Sequence, residues 1–194
     1  MFKGPVGAAR NLGAKNSRGE VLAFIDADTI ASRSWLKAIS ESFNENAIVG
    51  ATGPTFPRNK NSVDNMCYQV STVYFPRIML GLGIPHIGGV NCAYRRKPFM
   101  RVGGFDEVNV LSEDVRLSFR IKRLGTIQFN NNMVAFTSTR RIERYGYPYL
   151  VGLYLFNGFV TLLTGKSLRN YPQISSAKVS NAKGFHPKTE KRLV

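Results

Sequence analysis

Cysteine is scarce in this sequence, with only Cys67 and Cys92 among 194 residues. The two form no CxxC pair and no even set of spacings, so the sequence supports neither a disulfide framework nor a zinc knuckle. Reduced thiols in a cytosolic setting are the default expectation, and both residues are most simply small core residues. The opening residues, MFKGPVGAARNLG, lack the apolar core of a signal peptide, so we expect a cytoplasmic protein.

Acidic residues are also few, since 12 Asp and Glu face 27 Lys and Arg and leave a formal net charge of +15. A chain this basic is expected to meet an anionic partner, which is nucleic acid, a phospholipid surface or a phosphorylated substrate. No recognition-helix pattern or RNP-like aromatic motif accompanies the charge, so we expect no specific nucleic acid. A basic nucleic-acid-binding domain stays an alternative function.

No apolar run reaches the length of about 20 residues that is needed to span a bilayer. The longest, YPYLVGLYLFNGFVTLL over 147–163, is interrupted by one proline, two glycines and one asparagine. We interpret it as a helix packed on the domain, with a helix lying in a membrane interface as the alternative. The chain from 166 to 194 is polar and basic, so we expect a loosely ordered tail that suits anionic headgroups at the cytoplasmic membrane face.

Short apolar runs alternate with helical patterns along the rest of the chain, and 43% hydrophobic residues suffice for a compact core. This alternation predicts the α/β class with a mainly parallel sheet flanked by helices. The domains expected are 1–146, an apolar helix over 147–165 and the tail over 166–194. The predicted strands are 20–25, 47–52, 90–94 and 127–136, and the predicted helices are 8–17, 35–43, 63–80, 97–102 and 113–124.

The first candidate site is Asp26-Ala27-Asp28, which directly follows an apolar strand. Alternate residues of an extended chain point the same way, so the two acids should share one face and repel each other. Hard oxygen ligands favour Mg²⁺ or Mn²⁺, and such an ion also binds substrate phosphates. A solvated turn is the alternative, because Asp is common where strands end.

The second candidate is SEDVRLSFRIKRLG over 112–125. Ser112 is suited to capping a helix whose first turn carries Glu113 and Asp114, where acids are stabilised by the helix dipole. That stabilisation alone explains the two acids. A carboxylate at a helix start beside a cleft is also well placed to be a general base.

The third candidate is GGVNCAYRRKPFMRVGGFDE over 88–107. Gly88 and Gly89 allow the backbone to approach a ligand closely. Arg95 and Arg96 either bind phosphate or face water. The later GGFDE segment is typical of a turn with an aromatic plug that leads toward the acids of the second candidate.

The three segments occur in a specific order, beginning with GAARNLGAKNSRGEVLAFIDADT. Together they resemble the family 2 glycosyltransferases of the GT-A fold, over about residues 4–146. The resemblance implies metal-dependent transfer of a sugar from a nucleoside-diphosphate sugar to an acceptor hydroxyl, on a glycan or a lipid phosphate. It implies Mg²⁺ or Mn²⁺ as the cofactor.

The resemblance also implies a role for each matched residue. Asp26 and Asp28 match the DxD positions that engage the metal and the donor, and Asp114 matches the catalytic base with Glu113 beside it. The other matches are Arg10 and Asn11 at the nucleotide pocket, Gly88, Gly89 and Asn91 in the loop on the sugar and acceptor side, and Arg140 and Arg141 in the Arg-rich segment after the last strand.

Arg140 and Arg141 are expected to bind phosphate, with a solvated basic strand end as the alternative. No QxxRW motif occurs, which argues against a processive polysaccharide synthase. His86 and His186 are candidates for a further metal ligand, although neither lies in a motif that matches the family.

The sequence departs from the family pattern at its start. Relatives have strands and helices upstream of the segment that holds Arg10 and Asn11, and these build the floor of the base pocket. The chain starts almost at that segment, which predicts an N-terminally truncated GT-A domain with an exposed sheet edge and self-association through it. A catalytically inactive fragment that binds a membrane or a partner therefore stays an alternative.

Overall fold

The structure, a computed structural model, describes residues 4–59, 61–108 and 112–150, together with 152, 153, 156 and 160. A π-helical segment, Gln69–Tyr74, joins two of the helices without a break. The helices are α1 (Val6–Asn16), α2 (Trp35–Ser42), α3 (Ser62–Tyr68), α4 (Phe75–Gly81), α5 (Arg96–Arg101), α6 (Glu113–Lys122) and α7 (Arg140–Tyr145), and the strands are β1 (Val21–Ile25), β2 (Thr29–Ala31), β3 (Ile48–Thr52), β4 (Thr55–Pro57), β5 (Asn91–Arg95), β6 (Thr126–Phe129) and β7 (Ala135–Thr137).

The larger sheet has four strands in the order β1-β5-β3-β6. β5 runs antiparallel to both β1 and β3, whereas β3 and β6 are parallel. Mixed sheets flanked by helices confirm the α/β class. β1, β3 and β6 of the larger sheet point the same way, and β5 runs against them. The apolar runs did not predict the direction of β5, because they indicate burial on both faces and not strand direction.

A smaller sheet has three short strands in the order β2-β7-β4. The strand predicted over 127–136 is wrong as one element, because it supplies β6 to the larger sheet and β7 to the smaller one. Between them Met133 N–H donates to the carbonyl oxygen of Asn130 at 3.2 Å. Three consecutive asparagines at 130–132 favour a turn at this point.

β1 lies at the edge of the larger sheet and pairs there with β5 alone among the described residues. Leu22 is buried, but Ala23 is exposed and Phe24 is half-buried, so this strand is less covered than its apolar sequence predicts. The carboxyl end of β1 carries Asp26.

The core lies on both faces of the larger sheet, since alternate residues of β5 point to opposite sides. On one face the rings of Phe24 and Phe105 meet edge to face, with centroids 5.1 Å apart, in a cluster completed by Leu117 of α6. On the other face Trp35 of α2 packs with Ala93. The site described below lies where α1 and α6 meet the end of β1.

The helices occur close to their expected bounds, and 63–80 is a nearly continuous helix as predicted. Cys92 is buried and Cys67 is half-buried, and neither forms a disulfide. In the part of the chain that the structure describes, no helix is both long and apolar enough to cross a bilayer. The helix expected over 147–165 lies largely outside the described residues, and the tail over 166–194 lies wholly outside them.

Candidate functional site

The two carboxylates after β1 lie at a turn, and each is paired with a different arginine. Thr29 N–H donates to the Asp26 carbonyl oxygen at 3.0 Å, which closes the turn. Asp26 Oδ1 accepts a hydrogen bond from Arg10 Nη2 at 2.7 Å, and Asp28 Oδ2 lies 2.8 Å from Arg140 Nη2. Two guanidinium groups from distant parts of the chain therefore relieve the repulsion between the acids.

Arg10 of α1 connects this turn to the start of α6. Its Nη1 donates to Glu113 Oε1 at 2.8 Å, and its side chain is only 12% exposed. The guanidinium carbon lies 5.1 Å from the centroid of the Phe105 ring, a cation–π distance. Gly89 leaves the space for it, since a Cβ at residue 89 would lie 2.7 Å from Arg10 Nη1. The position of Arg10 thus depends on a glycine from the predicted ligand loop.

The carboxylate of Asp114 lies beside the same glycine loop. Its Oδ2 accepts a hydrogen bond from Gly89 N–H at 2.7 Å, and its Oδ1 accepts one from Val115 N–H at 2.8 Å. Ser118 Oγ accepts from Ile87 N–H at 3.1 Å and donates to the Asp114 carbonyl oxygen at 2.8 Å, which ties the loop to α6. Asp114 is thus oriented by backbone donors, as a general base must be.

The carboxyl group of Glu113 has a raised pKa. Burial and the neighbouring Asp114 raise its pKa from 4.5 to about 7, although the Arg10 guanidinium acts to lower it. The charge of the Glu113–Arg10 pair therefore depends on pH in the neutral range.

The cap of α6 differs from the prediction. Ser112 has a φ of +65°, in the left-handed region, and its side chain makes no capping hydrogen bond. An N-cap residue usually has extended backbone, which turns its oxygen toward the first free amides of the helix. Glu113 and Asp114 nevertheless occupy the first turn as predicted, where the helix dipole favours negative charge.

Asn11 and Asn91 are buried, and they bind backbone and core groups. Asn11 Oδ1 accepts from Phe105 N–H at 2.9 Å, and its Nδ2 donates to the Phe105 carbonyl oxygen at 2.9 Å. Asn91 Oδ1 accepts from Trp35 Nε1 at 2.8 Å, and its Nδ2 donates to the Met133 carbonyl oxygen at 2.7 Å. Both side chains therefore fix neighbouring segments of the chain. The charged groups that meet in the site itself include Arg10 and Asp114.

Arg140 and Arg141 begin α7 and do not extend a strand. The side chain of Arg140 is 51% exposed despite its ion pair with Asp28, and Arg141 is exposed. Arg140 therefore pairs with the second acid of the turn, whereas Arg10 pairs with the first.

His86 precedes the half-buried Gly88, and its ring meets that of Phe75 edge to face at 5.1 Å. Burial lowers the pKa of His86, while Asp114 acts to raise it. Its position beside the glycine loop makes it a neighbour of the candidate base. His186, the other histidine that the sequence suggested, lies outside the described residues.

Ser118 is the residue of this site that the sequence analysis missed. It is fully buried, and so are Leu117 and Ile121 of the same helix. A small hydroxyl beside a helical apolar stripe is a signal for such a bridge, because a buried hydroxyl needs hydrogen-bond partners.

The carboxylates of Asp26 and Asp28 fit a divalent cation in part. Mg²⁺ is usually held by one or two carboxylates, with waters and substrate phosphates completing its shell. Among the described residues, no group of three or more His, Cys, Asp or Glu is arranged to hold a metal ion. Two carboxylates are therefore suited to a cation whose other ligands come from water and from the phosphates of a bound ligand.

Comparison with known proteins gives one family match. The sequence profile described as glycosyl transferase family 2 matches residues 4–103, about half of the chain. This match includes Arg10, both aspartates after β1 and the glycine loop, and it ends before α6. No curated protein matches the sequence.

A mannosyltransferase from Pyrobaculum calidifontis, PcManGT, has a similar fold with a TM-score of 0.58 and 15% sequence identity. Its structure was solved in complex with GDP-Man and Mn²⁺. The match covers 87% of the present chain but only 46% of the mannosyltransferase, so the chain spans less than half of that protein's length. At 15% sequence identity this likeness shows a common fold and nothing more.

Proposed function

The chain belongs to glycosyl transferase family 2, and on that premise we propose that it transfers a sugar from a nucleoside-diphosphate sugar to an acceptor hydroxyl. The observation that carries the proposal is the Arg10 network. It brings Asp26 and the Glu113–Asp114 pair together beside Gly89, although they lie far apart in sequence. A donor-binding turn and a candidate base in one place are what a sugar transfer requires.

Asp114 is the proposed general base. It takes the proton of the acceptor hydroxyl as the oxygen attacks the anomeric carbon from the face opposite the diphosphate. The bond from the anomeric carbon to the diphosphate oxygen breaks, and the nucleoside diphosphate leaves with the electron pair. Such a single displacement inverts the anomeric centre.

Asp26 and Asp28 are the residues proposed to hold Mg²⁺ or Mn²⁺, which when bound neutralises charge on the departing diphosphate. Arg10 and Arg140 already pair with these carboxylates, so a cation competes with them for the carboxylate oxygens. Arg140 is the more exposed of the two, with 51% against 12% of its side chain accessible. We therefore expect Arg140 to leave Asp28 and pair with a donor phosphate, with Arg141 beside it.

Gly88 and Gly89 are proposed to lie against the sugar and the acceptor, because they are next to the Asp114 carboxylate. Asn11 and Asn91 are proposed to shape the pocket through the segments that they hold. A glycan or lipid-phosphate acceptor, a cytoplasmic location and association with a membrane stay predictions, as does self-association through an exposed sheet edge.

The test is a calorimetric titration of the full chain with UDP and with GDP, each with and without Mn²⁺. We expect binding that requires Mn²⁺ and is lost in Asp28→Asn, while Glu41→Gln, an exposed acid on α2, binds as the unmodified chain does. Failure of a folded chain to bind either nucleotide under both conditions would contradict the proposal. It would favour the alternative of a module that binds a membrane or a partner without catalysis.

A further inference from the structure

The helical rod formed by α3, the π-helical segment and α4 has its apolar side turned outward. Six side chains recur along it every three or four residues, and each is between 54% and 67% exposed. We call them the apolar stripe: Val63, Met66, Val70, Tyr74, Ile78 and Leu82. The stripe is about 30 Å long by the rise of an α-helix.

The inner side of the rod is held to the protein by polar contacts and by apolar packing, since Pro76 is buried and Leu80 packs on the core. Thr72 Oγ1 donates to the Thr55 carbonyl oxygen at 2.7 Å and accepts from Thr55 N–H at 3.2 Å. Asp64 is 7% exposed, and its Oδ2 accepts from Asn59 Nδ2 at 2.6 Å. A surface helix normally has one apolar side, which it buries. This rod is apolar on both sides, so its outer side leaves an apolar surface for something outside the domain.

Charge distinguishes an anionic surface from a second copy of the chain as the occupant. The chain carries a net charge of +15, so two copies would repel each other. The rod has Asp64 as its one acid, and that acid is buried and bonded. Arg77 is exposed on the same rod, where its guanidinium carbon lies 5.0 Å from the centroid of the Phe129 ring and its Nη2 donates to Asn131 Oδ1. The attraction of anionic headgroups therefore comes from the net charge of the chain, within about a Debye length.

The chemistry of the stripe also fits a membrane interface. It combines aliphatic side chains with Tyr74, and tyrosine is favoured where one end of a side chain is apolar and the other is wet. An apolar helical side that lies in the interface plane, with cations above it, is how helices bind membranes without crossing them.

The rod leads directly to the candidate base. Phe75, 45% exposed, meets the ring of His86 at 5.1 Å. His86 begins the short segment whose Gly89 N–H binds the Asp114 carboxylate. Phe75 and His86 thus connect the rod to the loop that binds the Asp114 carboxylate.

We propose that the apolar stripe docks on an anionic phospholipid bilayer and that the acceptor is a lipid-borne group presented from that bilayer. The docking stands on the exposure and charge of the rod, whereas the acceptor class rests on the proposed glycosyl transfer. The stripe and the apolar segment over 147–163 are different parts of the sequence, and the Tyr147 hydroxyl donates to the Asp64 carbonyl oxygen of α3 at 3.3 Å.

The test is flotation of the full chain with vesicles of phosphatidylcholine, with and without phosphatidylglycerol. We expect the chain to float with the anionic vesicles, and Ile78→Glu to lower its partition by about tenfold or more, since burial of an isoleucine side chain is lost. Leu36→Glu is the matched control, because Leu36 is 70% exposed on α2 and the substitution changes the net charge equally.

Three results would overturn the docking. The first is an unmodified chain that floats with neither kind of vesicle. The second is an equal loss in Ile78→Glu and Leu36→Glu, which would leave basic charge alone as the cause. The third is light scattering that shows a dimer dispersed by Ile78→Glu, which would assign the stripe to contact between copies. Titration of Ile78→Glu with GDP, UDP and Mn²⁺ tests donor binding separately, so failure of one proposal is distinguishable from failure of the other.

Discussion

Arg140 and Asp28 form an ion pair of 2.8 Å that joins the start of α7 to the turn after β1. The second acid of the Asp26-Ala27-Asp28 segment is therefore occupied by a cation of the chain itself. Since Asp28 is also a proposed metal ligand, Arg140 and a divalent cation compete for one carboxylate.

Replacement of Arg140 by glutamine is expected to strengthen Mn²⁺ binding in the absence of nucleotide and to weaken nucleotide binding in the presence of Mn²⁺. The gain for Mn²⁺ alone should be about two- to fivefold, because partly exposed ion pairs contribute little. A titration with Mn²⁺, in which electron paramagnetic resonance reports the concentration of the free ion, measures this affinity. Arg144→Gln, on the same helix, is the control, and an unchanged Mn²⁺ affinity in Arg140→Gln would rule out the competition.

Asp114→Asn is expected to lower turnover by a factor of about 10² to 10⁴, the usual contribution of a general base. Binding of the nucleoside diphosphate should persist, because asparagine has the shape of aspartate and keeps an oxygen that can accept the hydrogen bond from Gly89 N–H. Release of the nucleoside diphosphate from the donor that binds best is the measurement, with Glu41→Gln as a remote control. Full turnover in Asp114→Asn would remove this residue from the chemistry.

The stability of the protein should fall as pH rises from about 4.5 to about 7, the range set by Glu113. The folded state keeps a proton on this carboxyl in a range where the unfolded chain has lost it, so the free energy of unfolding decreases with pH. The full shift corresponds to about 3 kcal/mol. Urea unfolding at a series of pH values measures the slope.

The control for this effect is Glu113→Gln, which has no carboxyl to titrate and should flatten that part of the profile. The control should still unfold cooperatively, since Arg10 keeps its contact with Asp26. The same slope in both proteins would show that another group causes the dependence.

Asn91→Ala should destabilise the fold by about 2–4 kcal/mol, because it leaves buried hydrogen-bonding groups without partners. Asn91 is 1% exposed and bonds the Trp35 indole and the Met133 carbonyl oxygen. Asn16→Ala is a matched control, since exposed Asn16 bonds only the Leu12 carbonyl oxygen of its own helix. Chemical denaturation compares the two, and an equal cost would mean that the Asn91 bonds add nothing to stability.

Local pattern was sufficient to predict most elements of this fold. The apolar runs that became β1 and β3, and the helical spacing of Leu117 and Ile121 in α6, depend on neighbours within a few residues. The candidate site was predicted in the same way, since Asp26 and Asp28 follow a strand and Asp114 begins a helix. Each of these signals is carried by adjacent residues.

Strand direction and the assignment of β7 to a second sheet were not predictable from those signals. An apolar strand has the same sequence pattern in either direction, and only its pairing partner fixes the direction. The exposure of the apolar stripe on the α3–α4 rod was not predictable for a similar reason. Helical spacing predicts that apolar residues share a side, but not whether that side meets the core.

The sequence by itself determined the family, the main elements and the acids at the ends of β1 and at the start of α6. The tertiary structure decided which cation each acid meets: Arg10 bridges Asp26 and Glu113, and Arg140 holds Asp28. It also decided that Asn91 is a core residue. Ion pairs and buried hydrogen bonds form between groups that are remote in sequence, so their energies depend on distances that exist only once the chain has folded.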